Sequence, residues 1–164
     1  MKVRRQDLIA YTDGGYTIQK NVGASACVIL SADRAVELYR WSKALQNSTN
    51  NRQELGAIIH VVLSVPEGSY VEIHSDSRYS IGVLSGSMKA NINTDLIEIY
   101  RRTIRERKVT VKFIWVRGHN GEAMNEEVDN LCTEAVERFL AGGERIMVSE
   151  NRCGDYLSRV EKLL

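Results

Sequence analysis

The sequence holds a single proline, Pro66, in 164 residues, so no proline-rich linker divides the chain. Its three cysteines, Cys27, Cys132 and Cys153, are odd in number, far apart and never in a Cys-x-x-Cys pair. No disulfide framework is therefore indicated, and the expected setting is a reducing cytoplasm. No apolar run approaches the length of a membrane span, and the stretch from Met1 to Asp7 lacks the apolar core of a signal peptide. A soluble protein without membrane contact is expected. Nor does either charge predominate. Lys and Arg total 22 against 21 Asp and Glu, a net charge of +1. A grip on a polyanion would need a local basic patch or bound cations.

What remains is an ordinary globular composition, 43% hydrophobic and 26% charged, long enough for one domain with a real core. It is organised around Tyr11-Thr12-Asp13-Gly14-Gly15. Leu8 to Tyr11 reads as a strand buried on both faces, followed by a carboxylate and a predicted glycine turn. An acid at that point lies on the rim of a sheet, where open α/β folds bind ligands.

Two further strands are predicted, over Ala24–Leu30 and Ala35–Trp41, the second alternating with Val36 and Leu38 on one face. Leu55, Ile58, Ile59, Val62 and Leu63 then recur at the spacing of a helix lying on a sheet, with Glu54 in its first turn. Pro66 and Gly68 end that helix and release a fourth strand, Tyr70–His74. Ser75-Asp76-Ser77 closes the strand and caps a short helix reaching about Leu84. A helix with Leu96, Tyr100 and Ile104 on one stripe follows. The fifth strand carries Val109, Val111, Phe113 and Trp115 on one face. The last long helix presents Val128, Leu131, Cys132, Ala135, Val136 and Phe139, and stops at Gly142-Gly143. The expected class is α/β, a mixed sheet flanked by helices. Residues 1–143 form the domain; 144–164 form an extension with a possible strand over Arg145–Val148, expected to pack on the same domain.

Four acids stand beside turns: Asp13, Glu54, Asp76 and Asp129. If the first and fourth strands are parallel neighbours, Asp13 and Asp76 lie side by side at their carboxyl ends. A crossover helix starting at the same edge brings Glu54 alongside. Converging carboxylates repel, and some would stay protonated, unless cations join them. Hard divalent ions with oxygen ligands, magnesium or manganese, resolve that conflict. Two such ions can activate a water and stabilise the leaving oxygen of a phosphodiester.

The chain resembles the type 1 ribonucleases H over roughly residues 7 to 140. The motifs are Thr12-Asp13-Gly14-Gly15, Ser48-Thr49-Asn50-Asn51-Arg52-Gln53-Glu54-Leu55, His74-Ser75-Asp76-Ser77, and Val116-Arg117-Gly118-His119 followed by Asn125-Glu126-Glu127-Val128-Asp129. All four occur in family order. The resemblance implies a ribonuclease H-like fold, with a five-stranded mixed sheet ordered 3-2-1-4-5. It implies two Mg2+ ions, replaceable by Mn2+, held by Asp13, Glu54, Asp76 and Asp129. His119 looks like the family's histidine for proton transfer or product release. The implied activity is cleavage of the RNA strand of an RNA–DNA hybrid by a monomer. Gly14, Gly15, Thr49, Asn50, Asn51, Arg78 and Asn125 are the implied substrate contacts, reading duplex shape and 2′-hydroxyls in the minor groove.

Departures from the pattern are specific. Tyr16 to Asn21 replaces a glycine- and proline-containing loop, Arg78 stands where many members have glutamine, and no basic protrusion precedes the Leu96 helix. Arg101, Arg105 and Lys108 share a helix face suited to DNA phosphates. Two other readings use the same fold: a non-catalytic hybrid-binding module, and a superfamily relative that cuts DNA. All four acids are present, against the first; Asn50-Asn51 and the His119 loop argue against the second.

Overall fold

The computed structural model describes residues 7–118 and 122–157. Ten elements follow one another: β1 (Leu8–Thr17), β2 (Val22–Ser31), β3 (Glu37–Leu45), α1 (Asn50–Ser64), β4 (Tyr70–Ser75), α2 (Arg78–Ser85), α3 (Thr94–Glu106), β5 (Thr110–Trp115), α4 (Ala123–Leu140) and β6 (Ile146–Val148). They build a sheet of order β5-β4-β1-β2-β3-β6. β1 runs parallel to β4, and β4 to β5, while β1, β2, β3 and β6 pair antiparallel. The five expected strands are all present in the expected order. β6, from the tail, adds a sixth beside β3.

Alternation along β1 divides the core in two. Leu8 and Ala10 join a cluster with Leu55, Ile58, Val62 and Tyr100 from α1 and α3. Ile9 and Tyr11 join one with Val128, Leu131 and Ala135 from α4. Each fully buried Leu, Ile or Val in these layers contributes about 1.5–3 kcal/mol of transfer free energy. α1 buries more than one stripe, adding Ala57 and Val61, because it is covered by the sheet on one side and packs against α3 as well. Leu63, expected on the core side, is 51% exposed.

The ends of α1 are set locally. Thr49 has extended backbone, and its side chain accepts a hydrogen bond from the Arg52 amide at 3.1 Å, satisfying one orphan donor of the first turn. At the other end Val65 is extended (ψ 151°), as the residue before a proline must be. Arg107 Nη1 donates to the carbonyls of Val62 and Val65 at 2.8 and 2.6 Å.

Two expectations are corrected. First, Gly14-Gly15 is not a turn: β1 continues to Thr17, paired with β2 throughout. Second, β3 starts at Glu37, and Val36 is exposed in the preceding turn. A tight link closed by Ser31 and Asp33 places it there: Ser31 Oγ donates to Asp33 Oδ1 at 2.6 Å, and the Val36 amide donates to Ser31 Oγ at 3.0 Å. α2 is capped from within the expected Ser75-Asp76-Ser77 stretch, by Ser77, whose side chain accepts from the Ser80 amide. Among the described residues no helix is long and apolar enough to cross a membrane.

Beyond α4 the chain returns to the core. β6 pairs Trp41↔Val148 and Lys43↔Ile146. The Asn151 side-chain amide donates to the Ser64 carbonyl at 2.9 Å. Cys153 is fully buried in the α1-side cluster, against which Tyr156 and Leu157 also pack. Truncation before Glu144 is therefore expected to destabilise the protein by about 2–5 kcal/mol, the scale of lost core side chains. Denaturant unfolding of the full and shortened chains measures it; equal midpoints would contradict this packing role.

Candidate active site

β1 and β4 stop pairing at Tyr11↔His74. Asp13 and Asp76 each lie two residues further on, side by side at the carboxyl ends of parallel neighbours. α1 supplies the third acid. A Cβ built on Gly14 would fall 2.4 Å from the backbone carbon of Gln53 and the backbone nitrogen of Glu54. The glycine is thus needed because the backbone of α1 lies directly on β1. Ser25 on β2 fixes the same point of α1: its hydroxyl lies 2.7 Å from the Gln53 carbonyl and 2.8 Å from Gln53 Oε1.

The result is a cluster in which Asp13, Glu54 and Asp76 each offer a carboxylate oxygen within 4.8 Å of the others. Asp13 and Glu54 are both 6% exposed, and Asp76 is half-buried. Asp129, in the second turn of α4, is partly buried and shares with Asp13 the lining of a groove of about 300 Å3. Burial, then the Asp76 carboxylate, pushes Asp13 up to about 7, and Asp129 adds to the rise; a hydrogen bond from the Gly14 amide pulls the other way. Burial, then Asp13 and Asp76, holds Glu54 well above the usual carboxylate range.

Glu54 Oε2 is buried without a hydrogen-bond partner. A buried, unpartnered carboxylate oxygen among like charges is costly. An all-oxygen donor set with such an orphan fits a hard divalent cation. Asp13, Glu54 and Asp76 are the acids that converge closely enough to hold it, while Asp129, expected with them, lies across the adjoining groove rather than within this cluster.

The other expected residues are placed as follows. Gly15 is partly buried and faces Asn50, whose Oδ1 lies 3.8 Å from a Cβ built on the glycine. Thr49 and Asn50 are exposed and Asn51 is partly buried, all at the start of α1. Arg78 is exposed at the first position of α2, over the ring of Trp115. Asn125 is only 4% exposed, in the first turn of α4. His119 lies outside the described residues, though Gly118 comes close to Asp76: a Cβ built there would lie 3.3 Å from Oδ2.

Two groups near the site escaped the sequence reading. Lys20 and Tyr16 line the Asp13–Asp129 groove. Trp115, expected on the apolar face of β5, is 42% exposed beside Asp76. Neither has a local sequence signal, since both depend on where a strand or hairpin ends.

Fold and site together define an α/β protein with a carboxylate-lined centre at the carboxyl ends of its parallel strands. A family model for RNase H matches residues 5–137. A protein named Ribonuclease H from Anaeromyxobacter dehalogenans strain 2CP-1 is 35% identical over 170 residues, spanning 92% of this chain and 91% of its own. Proteins of the same name from Methylorubrum extorquens strain PA1 and Clostridium botulinum strain Hall are 34% and 29% identical. They cover 82% and 80% of this chain, and 62% and 97% of their own. The chain belongs to the ribonuclease H family.

Because folding raises the Asp13 pKa to about 7, the folded state holds a proton that the unfolded chain, titrating near 4, releases first. Without divalent ions, stability should therefore fall as pH climbs from about 4 to about 7, by roughly 1–3 kcal/mol. Asp13→Asn should flatten that fall, and Mg2+ at pH 8 should reverse it. Thermal unfolding across pH, with and without Mg2+, reads both effects. Gly14→Ala, which drives a Cβ into the α1 backbone, should cost more than about 2 kcal/mol at any pH.

Proposed function

We propose that the protein is an endoribonuclease that hydrolyses the RNA strand of RNA–DNA hybrids with two divalent metal ions, leaving 3′-hydroxyl and 5′-phosphate ends. The observation that carries this reading is the convergence of Asp13, Glu54 and Asp76, with one Glu54 oxygen unpartnered. Membership of the ribonuclease H family, and curated relatives named for that activity, support it.

Ions bound there, Mg2+ or Mn2+, would supply Lewis acidity to a water and to the leaving oxygen. The chain's own residues do the rest. Asp13 sits centrally, in electrostatic contact with Asp76, Glu54 and Asp129, and these four carboxylates would together hold the ions. His119 takes the role of moving a proton or releasing product.

Substrate meets the exposed start of α1 and the glycine stretch of β1. Gly14 and Gly15 let the scissile strand approach closely. Asn50 and Asn51 donate to minor-groove acceptors, Thr49 holds a DNA-strand phosphate, and Arg78 replaces a glutamine amide with a cation. Arg101 and Arg105 are exposed on α3 and take further DNA-strand phosphates; Lys108, expected on the same helix face, is exposed but lies beyond the helix end at Glu106. Arg101 also lines a groove of about 360 Å3 with Lys89 and Thr94. The three cysteines are free and buried, consistent with a cytoplasmic monomer.

Asp13→Asn should abolish cleavage of labelled hybrid while hybrid binding persists, and a chelator should abolish wild-type cleavage. Double-stranded RNA and DNA should survive with Mg2+ present. Full activity in Asp13→Asn, or in the presence of chelator, would overturn the mechanism. Charge reversal at Arg101 and Arg105 should weaken hybrid binding and flatten its dependence on salt; an unchanged constant would remove that face from the interface.

A further inference from the structure

Beside the carboxylates stands a pair of side chains outside the acid cluster itself. Trp115 ends β5, and its Nε1–H donates to the backbone carbonyl of Asp76 at 3.3 Å. One residue on, the Val116 amide donates to the Ser75 carbonyl at 2.9 Å. The indole is thus tied to the backbone of the strand end that bears a candidate ligand. It is nevertheless 42% exposed, whereas the chain's other tryptophan, Trp41, is 8% exposed.

Over its ring lies Arg78, the guanidinium carbon 4.0 Å from the ring centroid. The pair forms one wall of a groove of about 230 Å3, completed by Ile81, Gly82, Ser87 and Met88. Met88 itself packs on Gly82: a Cβ there would meet its sulfur at 2.2 Å.

A guanidinium held over an indole keeps its full charge and its N–H donors, and loses little further rotamer freedom when it binds. It has no acceptor, so its ligand must be an acceptor; of those on a hybrid, a phosphate with two oxygens fits the fork best. A cation next to an acid cluster also offsets the repulsion that the carboxylates exert on an incoming polyanion.

We infer that Arg78 and Trp115 form a phosphate subsite flanking the acid cluster, in which Arg78 contacts a backbone phosphate of the nucleic-acid substrate and Trp115 positions it. The inference rests on the hybrid-cleaving reading and adds to it both the ligand group at this point and a positioning residue. Trp115 acts through Arg78, so its removal should matter only while the arginine is present.

The test uses the full chain carrying Asp13→Asn, so that hybrid is bound without being cut, and measures Kd over a range of salt concentrations. Arg78→Ala should raise Kd about tenfold and lower the slope of log affinity against log salt by about 0.7–0.9, one phosphate contact. Trp115→Leu should raise Kd several-fold, Trp115→Phe much less, and Arg78→Ala with Trp115→Leu no more than Arg78→Ala alone. Thermal unfolding of each variant separates loss of binding from loss of fold. Three results would overturn the subsite: an unchanged salt slope in Arg78→Ala, losses that add in the double variant, or a loss that varies with hybrid sequence, the mark of base-edge reading. Failure of the underlying reading is seen separately, as wild-type protein leaving hybrid uncut with Mg2+ present.

Discussion

The structure depends on a backbone-to-backbone contact: the second turn of α1 pressed onto β1 at Gly14, where no side chain can stand. That contact puts Glu54 against Asp13 and cuts both off from solvent. Everything costly about the site follows from it. Two nearly buried carboxylates face a third across less than 5 Å, and burial and mutual repulsion together raise their proton affinity. The frame absorbs the strain by being over-determined around that point. β1 is paired on both sides, Ser25 holds the Gln53 carbonyl, and α1 is tied to α3 by the Arg52–Asp95 ion pair at 2.8 Å.

The α4 side carries a second polar arrangement of a different kind. Tyr11 and His74, the last paired residues of β1 and β4, stack at 4.5 Å between centroids. The Tyr11 hydroxyl donates to Glu122 at 3.1 Å and accepts from Arg34. His74 Nε2 lies 3.3 Å from a Glu72 oxygen without hydrogen-bond geometry, and burial, outweighing Glu72, lowers its pKa. The imidazole is therefore neutral near pH 7 and packs as an aromatic plate. The stacked pair lies two residues before Asp13 on β1 and two before Asp76 at the end of β4.

Much of this was legible in the sequence, for a physical reason. Buried strands and amphipathic helices advertise themselves by period, and acids next to glycine or serine mark strand ends. Asp13, Glu54 and Asp76 could therefore be gathered on paper once β1 and β4 were taken as parallel neighbours. Gly14 was misread because a dipeptide of aspartate and glycine has the same letters whether it turns or only makes room for a helix. Trp115 was misjudged because burial at an element's end depends on what packs against it: β5, an edge strand ending beside Asp76, leaves the indole exposed. β6 is only three residues long, with all three exposed. Its pairing is decided by the open edge of β3 rather than by any pattern of its own.

The register of the sheet bears on how the chain finds this state. β1, β2 and β3 are joined by short links and can zip up as a local meander. The pairing of β1 with β4 must wait for the whole crossover through α1, and that of β4 with β5 for two more helices. Loops of that length close late, and parallel pairs form slowly. Asp13 waits on the meander, Glu54 and Asp76 on the crossover, and Asp129 on the arrival of α4. A chain that has formed only the meander consequently has no place where Asp13, Glu54 and Asp76 meet. The acid cluster comes into being only once β1, α1 and β4 are together, so a cation held there would stabilise the state in which that crossover is complete.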